Sequence, residues 1–393
     1  MCVCVCVRER EKRVRAARTR SVSFLFFSSA PSLAPLPLSP PPSSQVHDCQ
    51  LDYYGRRLAT CSSDRIIKVC VCEREREREA CRTREHTSRR DGPNLAPHNA
   101  LNLPSSKKVF DVVGDTVTPL ADLAGHEGPV WAVAWSHPKF GSLLASASFD
   151  HRVCVWREAS PGAWHAVFTD PIHSASVNAV CFAPHECGCA VAAASSDGAV
   201  SVLSHSGGDP SAGGGAWAAD RIEGAHAAGA LAVTWAPGAV PAAALAAPGR
   251  PPPPPERRLA SGGCDNLVKV WRFQPSSGRW ALDAPPLAAH TDWVRDVAWA
   301  PSPVGAGGAG SAAAGPATLA SAGQDGRVFI WMEDTAAGAG AGGWTPTLLC
   351  ELDCPAWKVS WAVSGGVLAV TDAKGEVTTW KEALDGAWEQ VGA

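Results

Sequence analysis

A histidine, a serine and an aspartate, the three residue types of a hydrolase triad, lie close together in the chain at His126, Ser146 and Asp150. In such a triad the imidazole takes the proton of the serine, and the carboxylate orients the imidazole. A nucleophile site would occur once, whereas histidines and aspartates at comparable positions recur in several segments of this chain. The recurrence predicts buried hydrogen bonds that tie strands together, rather than catalysis.

No other motif for catalysis or cofactor binding is found in the sequence. It has no Gly-rich phosphate loop with its lysine, no clustered His and Cys ligands, and no paired carboxylates in one motif. We therefore expect no enzymatic activity, no cofactor and no metal ion. The 15 cysteines lack the spacing of a disulfide framework, which favours a reducing compartment. No apolar run approaches the roughly 18–20 residues of a membrane span.

Two segments differ in composition from the rest of the chain, at 1–45 and at about 70–109. Residues 2–7 alternate Cys and Val before an Arg-Glu run, and the same order recurs from Val69 to Glu79. Because translated dinucleotide repeats give two-residue repeats, we interpret 1–45 as spurious or disordered low-complexity sequence and 70–109 as a microsatellite insertion. The alternatives are a targeting peptide at the N-terminus, and a short strand or a thiol–metal site for the Cys-Val run. Both segments are basic, so the remaining chain is acidic and unsuited to binding phosphate backbones.

The remaining chain is organised by a repeat in which an aspartate precedes a tryptophan by six residues, with Val or Ile at the third and fifth positions after the aspartate. The pairs are Asp150 with Trp156, Asp265 with Trp271, and Asp325 with Trp331. Asp197 keeps the pattern with a leucine in the last place. Asp64 begins it before the Arg-Glu run, and joining Val69 to Phe110 would restore an aromatic residue. The last unit has Trp380 but lacks the aspartate.

Four histidines stand nine residues before an aromatic residue, upstream of the aspartates: His126, His173, His226 and His290. Apolar residues alternate with period two, and Asp-Gly and Asp-Asn pairs supply tight turns, so each unit is predicted to form four antiparallel strands. Six units begin near residues 46, 123, 171, 225, 289 and 352. Their typical spacing of about 40 to 45 residues is that of a propeller blade.

These repeats resemble the WD-repeat β-propeller family over most of the chain. The resemblance implies an all-β, six-bladed propeller spanning 46–393, interrupted at about 70–109, in which the repeated His, Ser, Asp and Trp form a buried network. Segments 48–65, 125–131, 262–267 and 292–301 are similar to the small propeller subunits of the COPII vesicle coat, which also serve the Y-shaped subcomplex of the nuclear pore. A related nucleoporin propeller shares the element at 56–64.

This resemblance also implies an open ring, completed by a blade from an α-solenoid partner, which is either a COPII cage subunit or a nucleoporin. The implied locations are endoplasmic-reticulum exit sites, COPII vesicles and nuclear pores, with the membrane reached through the coat and without direct binding of nucleic acid. The first unit lacks its histidine and the last lacks its aspartate, so we expect partner contacts on these two units. The predicted contact residues are Tyr53, Tyr54 and Arg57 in the first, and Trp361, Val363, Val370 and Thr378 in the last.

An alternative function is that of a generic WD-repeat adaptor, such as a ubiquitin-ligase substrate receptor, which would be a closed ring that binds peptides on its top face. Three tryptophans, Trp131, Trp293 and Trp357, fall outside the repeat frame and are candidates for that face or for core packing.

Overall fold

The computed structural model describes residues 4–6, 23–25, 45–74, 115–208, 210, 214–238, 255–301, 317–334, 343–383 and 386–391. These residues form six antiparallel sheets of four consecutive strands, as the repeats predict, and we call them sheets 1 to 6 in chain order. Sheet 4 has an additional short strand, Leu287–Ala288, beside its third strand. Among the described residues no helix has the length and apolar character needed to cross a membrane.

The strand bounds follow the predicted units. Sheet 1 contains Val46–Leu51, Arg57–Ser62, Ile66–Arg74 and Asp115–Ala124. Sheet 2 contains Val130–Trp135, Leu143–Ser148, Val153–Ser160 and Ala163–Asp170. Sheet 3 contains Val177–Phe182, Ala190–Ser195, Val200–Ser206 and Ala216–Ile222. Sheet 4 contains Ala230–Trp235, Arg258–Gly263, Leu267–Gln274 and Arg279–Leu282. Sheet 5 contains Val294–Trp299, Thr318–Gly323, Arg327–Glu333 and Trp344–Glu351. Sheet 6 contains Ala356–Trp361, Val367–Asp372, Val377–Glu382 and Trp388–Gln390.

The third strand of sheet 1 differs from the prediction. It continues past Val69 to Arg74, five residues into the predicted insertion, and pairs with Asp115–Ala124. Cys70 therefore stands at the position that a tryptophan occupies in other sheets, and Phe110 lies outside the described residues. In the N-terminal segment, Cys4–Cys6 pairs with Ser23–Leu25 in a two-stranded sheet, so the first Cys-Val run contains a short strand.

The turn between the second and third strands has the predicted chemistry. The residue after the repeated aspartate has a positive φ, as at Asn266 (64°) and Gly326 (76°). At Gly198 a side chain is also excluded by space, because a Cβ atom there would lie 2.3 Å from the carbonyl oxygen of His226. These turns fix each aspartate at one end of its sheet.

Five hydrophobic clusters lie between successive sheets. They join sheets 1 and 2, 2 and 3, 3 and 4, 4 and 5, and 5 and 6. The first strands of successive sheets also lie against one another, which makes them the innermost strands of the ring. Among the described residues, neither a cluster of this kind nor extensive strand packing joins sheet 6 to sheet 1. We call the junction of sheets 6 and 1 the seam. Among the described residues it is the one junction of neighbouring sheets that has no apolar cluster of this kind.

Candidate functional site

The four repeated histidines are buried in sheets 2 to 5, and each bonds through both ring nitrogens. The Nδ1 atoms lie 2.8 Å from Asp150 in sheet 2, 3.0 Å from Asp197 in sheet 3, 2.7 Å from Asp265 in sheet 4 and 3.1 Å from Asp325 in sheet 5. Each Nε2 atom contacts a serine hydroxyl at 2.7–2.9 Å. Each network thereby joins the loop that precedes a sheet to a turn and a strand within it.

In three of these networks a tryptophan completes the arrangement. The indole Nε1 donates to the same serine hydroxyl at 2.9 Å: Trp156 to Ser146, Trp271 to Ser261, and Trp331 to Ser321. All three serines are fully buried. A hydroxyl that water and substrate cannot reach does not serve as a nucleophile, so the His, Ser and Asp of sheet 2 are placed as a strand-joining network.

Sheet 3 builds the network from a different strand. Its second strand has Ala193 where sheet 2 has Ser146, and its third strand has Leu203 where sheet 2 has Trp156. The hydroxyl bonded to His173 instead comes from Ser201 in the third strand, at 2.9 Å. The sequence pattern missed this serine, because the usual serine position carries an alanine.

The pKa values in sheet 2 reflect the tight pairing of its network. Burial acts to raise the pKa of Asp150, but the hydrogen bond and charge of His126 and backbone N–H donors from Glu127 and Arg152 lower it to about 2. Burial acts to lower the pKa of His126, and its hydrogen bonds to Asp150 and Cys154 raise it to about 9. In sheet 5 the histidine–carboxylate contact is longer, and burial lowers the pKa of His290. The ion pair is therefore stronger in sheet 2 than in sheet 5.

The terminal sheets lack this network. In sheet 1, Asp64 accepts hydrogen bonds from Ser62 and from the backbone N–H of Ile66, all within one turn. In sheet 6, Trp380 donates 3.0 Å to Thr378, two residues away on the same strand. At these positions of the repeat, Asp64 and Trp380 thus bond residues close to them in the chain.

Two kinds of hydrogen bond join neighbouring sheets inside the ring. Indole Nε1 atoms at the end of the innermost strand donate to a carbonyl of the preceding sheet, at 3.0–3.1 Å: Trp135 to Gln50, Trp235 to Cys181, and Trp361 to Ala298. Carboxylates accept a backbone N–H from the following sheet, at 3.0–3.1 Å: Asp48 from Val133, and Asp296 from Val359. The motif analysis did not single out Asp48 or Asp296, because their role depends on a neighbour in the next unit.

Both of these bonds are replaced at the seam. Leu51 of sheet 1 occupies the position of the donating tryptophans, and it has no N–H in its side chain. Lys358 of sheet 6 occupies the position of the accepting carboxylates, and an ammonium cannot accept a hydrogen bond. Lys358 Nζ instead lies 3.9 Å from Asp48 Oδ1, across the seam.

Strand register identifies the residues that face the seam. In sheet 2, one set of residues packs against the preceding sheet, which is sheet 1. The residues at the same repeat positions in sheet 1 therefore face sheet 6: Val46, Cys49, Leu58, Lys68 and Cys70. Another set of residues in sheet 2 packs against the following sheet, which is sheet 3. The residues at the same repeat positions in sheet 6 therefore face sheet 1: Lys358, Ser360, Ala369, Thr371 and Val377. Lys68 is exposed, whereas its counterpart Cys154 is buried. The seam faces therefore place polar side chains, one of them exposed, at positions that are apolar and buried in the interior interfaces.

The predicted partner contacts differ in their exposure and in their neighbours. Tyr53, Tyr54 and Val363 are exposed, with fractions of 68%, 57% and 85%, in the turns after the innermost strands of sheets 1 and 6. Arg57 is engaged with Glu158 of sheet 2, with 2.5 Å between Nη1 and Oε2.

For three of the predicted contacts, a correction is needed. Trp361 and Val370 pack in the cluster between sheets 5 and 6, and Val370 is only 1% exposed. Thr378 bonds Trp380, which packs on the same cluster. Since side chains alternate along a strand, these three residues face sheet 5, and the seam is lined by the residues between them.

Comparison with known proteins gives the family. The WD domain, G-beta repeat family matches residues 38–70, 117–157 and 285–332. The protein transport protein sec13 of Aspergillus clavatus is 40% identical over 354 residues, which cover 88% of this chain and 98% of that protein. The SEC13 homolog of Drosophila melanogaster is 38% identical over 346 residues, covering 88% of this chain and 80% of that protein. A chain from a crystal structure of the mitotic checkpoint complex shares the fold alone, with a TM-score of 0.54, 15% identity, and coverage of 92% of this chain and 78% of that chain.

Proposed function

We propose that this chain, which belongs to the Sec13 family of WD-repeat proteins, is a non-enzymatic scaffold subunit of the COPII vesicle coat and of the nuclear-pore outer ring. In this role it binds an α-solenoid partner that completes the propeller by adding strands at the seam. It would act at endoplasmic-reticulum exit sites, on COPII vesicles and at nuclear pores. The relative from Aspergillus clavatus is named as a protein transport protein, which supports the general part of this proposal.

The seam carries the specific part of the proposal. Five interfaces are filled by apolar clusters, whereas the sixth has an exposed lysine, a cysteine in place of a tryptophan, and a long ion pair. Addition of strands from a partner would cover the half-buried Val46, Cys70 and Val377 and supply the missing inter-sheet bonds, as in β-augmentation. The result is mechanical, because a completed ring stiffens the assembly that holds it.

The test is co-expression with the α-solenoid subunit of the COPII cage from the same organism. We expect a one-to-one complex by size-exclusion chromatography with light scattering. Lys68→Glu places a reversed charge on the seam face and should weaken binding about tenfold, since a mismatched charge at an interface is costly. Lys139→Glu is the matched control, because Lys139 is an exposed lysine in a turn of sheet 2, away from the seam.

A chain that remains monomeric in the presence of this partner would contradict the coat function. Equal weakening by the two lysine variants would instead contradict the seam as the contact. A stable closed monomer that selects short peptides and ignores α-solenoid proteins would favour the adaptor function.

A further inference from the structure

An arginine contacts two exposed tryptophans where the first strands of sheets 5 and 6 begin. The guanidinium carbon of Arg295 lies 5.3 Å from the ring centre of Trp293 and 5.1 Å from that of Trp357. Its Nε donates to Gln324 Oε1 at 2.7 Å, which fixes the plane of the group. Trp293 and Trp357 remain 44% and 37% exposed. Contacts with the two indole rings and one hydrogen bond therefore orient the Arg295 guanidinium at the surface.

A second arginine shows what this arrangement lacks. The guanidinium carbon of Arg258 also lies over an indole, 5.3 Å from the centre of Trp299. Its nitrogens pair with Asp283 at 2.6 Å and with Glu333 at 2.8 Å. Among the described residues, no carboxylate lies within 4.0 Å of the guanidinium of Arg295. The two arginines share the aromatic contact and differ in the presence of an anion.

The electrostatic surroundings agree with this difference. Burial acts to lower the pKa of Arg258, but Glu333 and Asp283 raise it. Burial lowers the pKa of Arg295, and the nearby Cys264 and Asp292 do not compensate. Asp292 is engaged locally, since its Oδ1 accepts the backbone N–H of Trp293 at 2.7 Å. Arg295 has thus lost part of its hydration without gaining an ion pair.

We infer that Trp293, Arg295 and Trp357 form a binding site for a carboxylate side chain in an extended segment of a partner protein. The two Nη atoms would receive the carboxylate through parallel hydrogen bonds, the geometry that a guanidinium favours. The two indoles would pack against apolar side chains that flank the acidic residue, since aromatic residues and arginine are enriched at the energetic centres of interfaces. Because an unpaired and partly desolvated cation gains most from an anion, the occupant is acidic.

This site is separate from the seam faces. Trp357 contacts Arg295 of sheet 5, whereas the neighbouring Lys358 lies 3.9 Å from Asp48 of sheet 1, so the two side chains point to different sheets. Peptide binding at Arg295 can therefore be measured on the full chain alone, and its failure is distinguishable from failure of the seam to bind an α-solenoid protein.

The experiment is a titration of the full chain labelled with 5-fluorotryptophan, followed by ¹⁹F NMR. The signals of Trp293 and Trp357 are assigned with Trp293→Phe and Trp357→Phe. The probes are acetyl-Leu-Glu-Leu-amide and its isosteric control acetyl-Leu-Gln-Leu-amide. We expect saturable shifts of both signals with the glutamate peptide at millimolar concentrations, and binding about tenfold weaker with the glutamine peptide, because charge-assisted hydrogen bonds are the stronger ones.

Variants separate this site from a general charge effect. Arg295→Gln should abolish the shifts, and Arg295→Lys should retain the charge while weakening binding through loss of the paired donors. Arg152→Gln is the matched control. Arg152 lies in a turn of sheet 2 on the same side of the ring as Arg295, and it pairs with Glu127. Its replacement should leave binding unchanged. The thermal unfolding of each variant is recorded to confirm folding.

Equal affinity for the two tripeptides would overturn the inference, as would unchanged binding after Arg295→Gln in a folded chain. Binding of acetyl-Leu-phosphoserine-Leu-amide without binding of the glutamate peptide would overturn the assignment to a carboxylate.

Discussion

Sheets 2 to 5 and the terminal sheets 1 and 6 have the same strand order but are held together differently. Each interior sheet has a buried histidine that joins a loop, a turn and a strand, whereas Asp64 and Trp380 of the terminal sheets bond residues of their own turn or strand. Apolar clusters also fill the interior interfaces, and none of those formed by the described residues joins the two sheets of the seam. A repeat can therefore define a backbone fold without defining equal stability, which depends on the contacts between neighbouring repeats.

Truncating a repeat tryptophan should give the largest difference between the two regions. Trp331→Ala removes a side chain that is 1% exposed in the cluster between sheets 4 and 5, and it should lower the free energy of unfolding by about 3–5 kcal/mol. Trp380→Ala should cost clearly less, because Trp380 is only half-buried and bonds its own strand. Urea denaturation of both variants measures this, and equal losses would refute the distinction.

The sequence was sufficient to predict the six four-stranded units and their turns, because alternation, Asp-Gly pairs and constant spacing are local signals. It was also sufficient to choose His126 and Trp156, which recur at fixed offsets. It did not identify Ser201, because the third strand of sheet 3 supplies a hydroxyl that the second strand lacks. Nor did it bring together Trp293 and Trp357, whose contact with one guanidinium depends on the packing of two sheets.

The serine variants test whether shared hydrogen bonds explain the interior stability. Ser146→Ala leaves two buried groups without a partner, His126 Nε2 and Trp156 Nε1, so it should cost about 2–4 kcal/mol. Ser201→Ala leaves only His173 Nε2 and should cost about 1–2 kcal/mol. Both are measured by urea denaturation. An equal cost for the two variants would mean that the tryptophan–serine bond contributes nothing.

The pH dependence of unfolding should come from the interior networks. The pKa of Asp150 is lowered to about 2, so its contribution is present above the ordinary value of 3.8 and is lost as the pH falls through about 2. The pKa of His126 is raised to about 9, so its contribution is present below the ordinary value of 6.5 and is lost as the pH rises through about 9. The acid loss should be on the order of 2 kcal/mol for this carboxylate.

Asp150→Asn is the variant that isolates this dependence. Its free energy of unfolding should be lower than that of the unmodified chain near pH 5, and the two should converge as the pH falls through the range in which Asp150 is protonated. The same measurement on Asp64→Asn is the control in sheet 1, where the carboxylate accepts hydrogen bonds from Ser62 and from the backbone N–H of Ile66. If both variants change the loss of unfolding free energy at low pH by the same amount, the histidine–aspartate pairs are not the cause of that loss.

The smallest effect is expected at the seam itself. Lys358→Gln removes an ion pair of 3.9 Å between a partly exposed ammonium and the buried carboxylate of Asp48. Because the separation is long and the ammonium is solvated, we expect a loss of about 0–1 kcal/mol. Asp296→Ala is the comparison at the interface of sheets 5 and 6, where it leaves the buried N–H of Val359 without an acceptor and should cost about 1–3 kcal/mol. A loss for Lys358→Gln as large as that for Asp296→Ala would mean that the chain closes its own ring. A negligible loss would mean that sheets 6 and 1 are held apart at little cost, which leaves this interface available to strands from another protein.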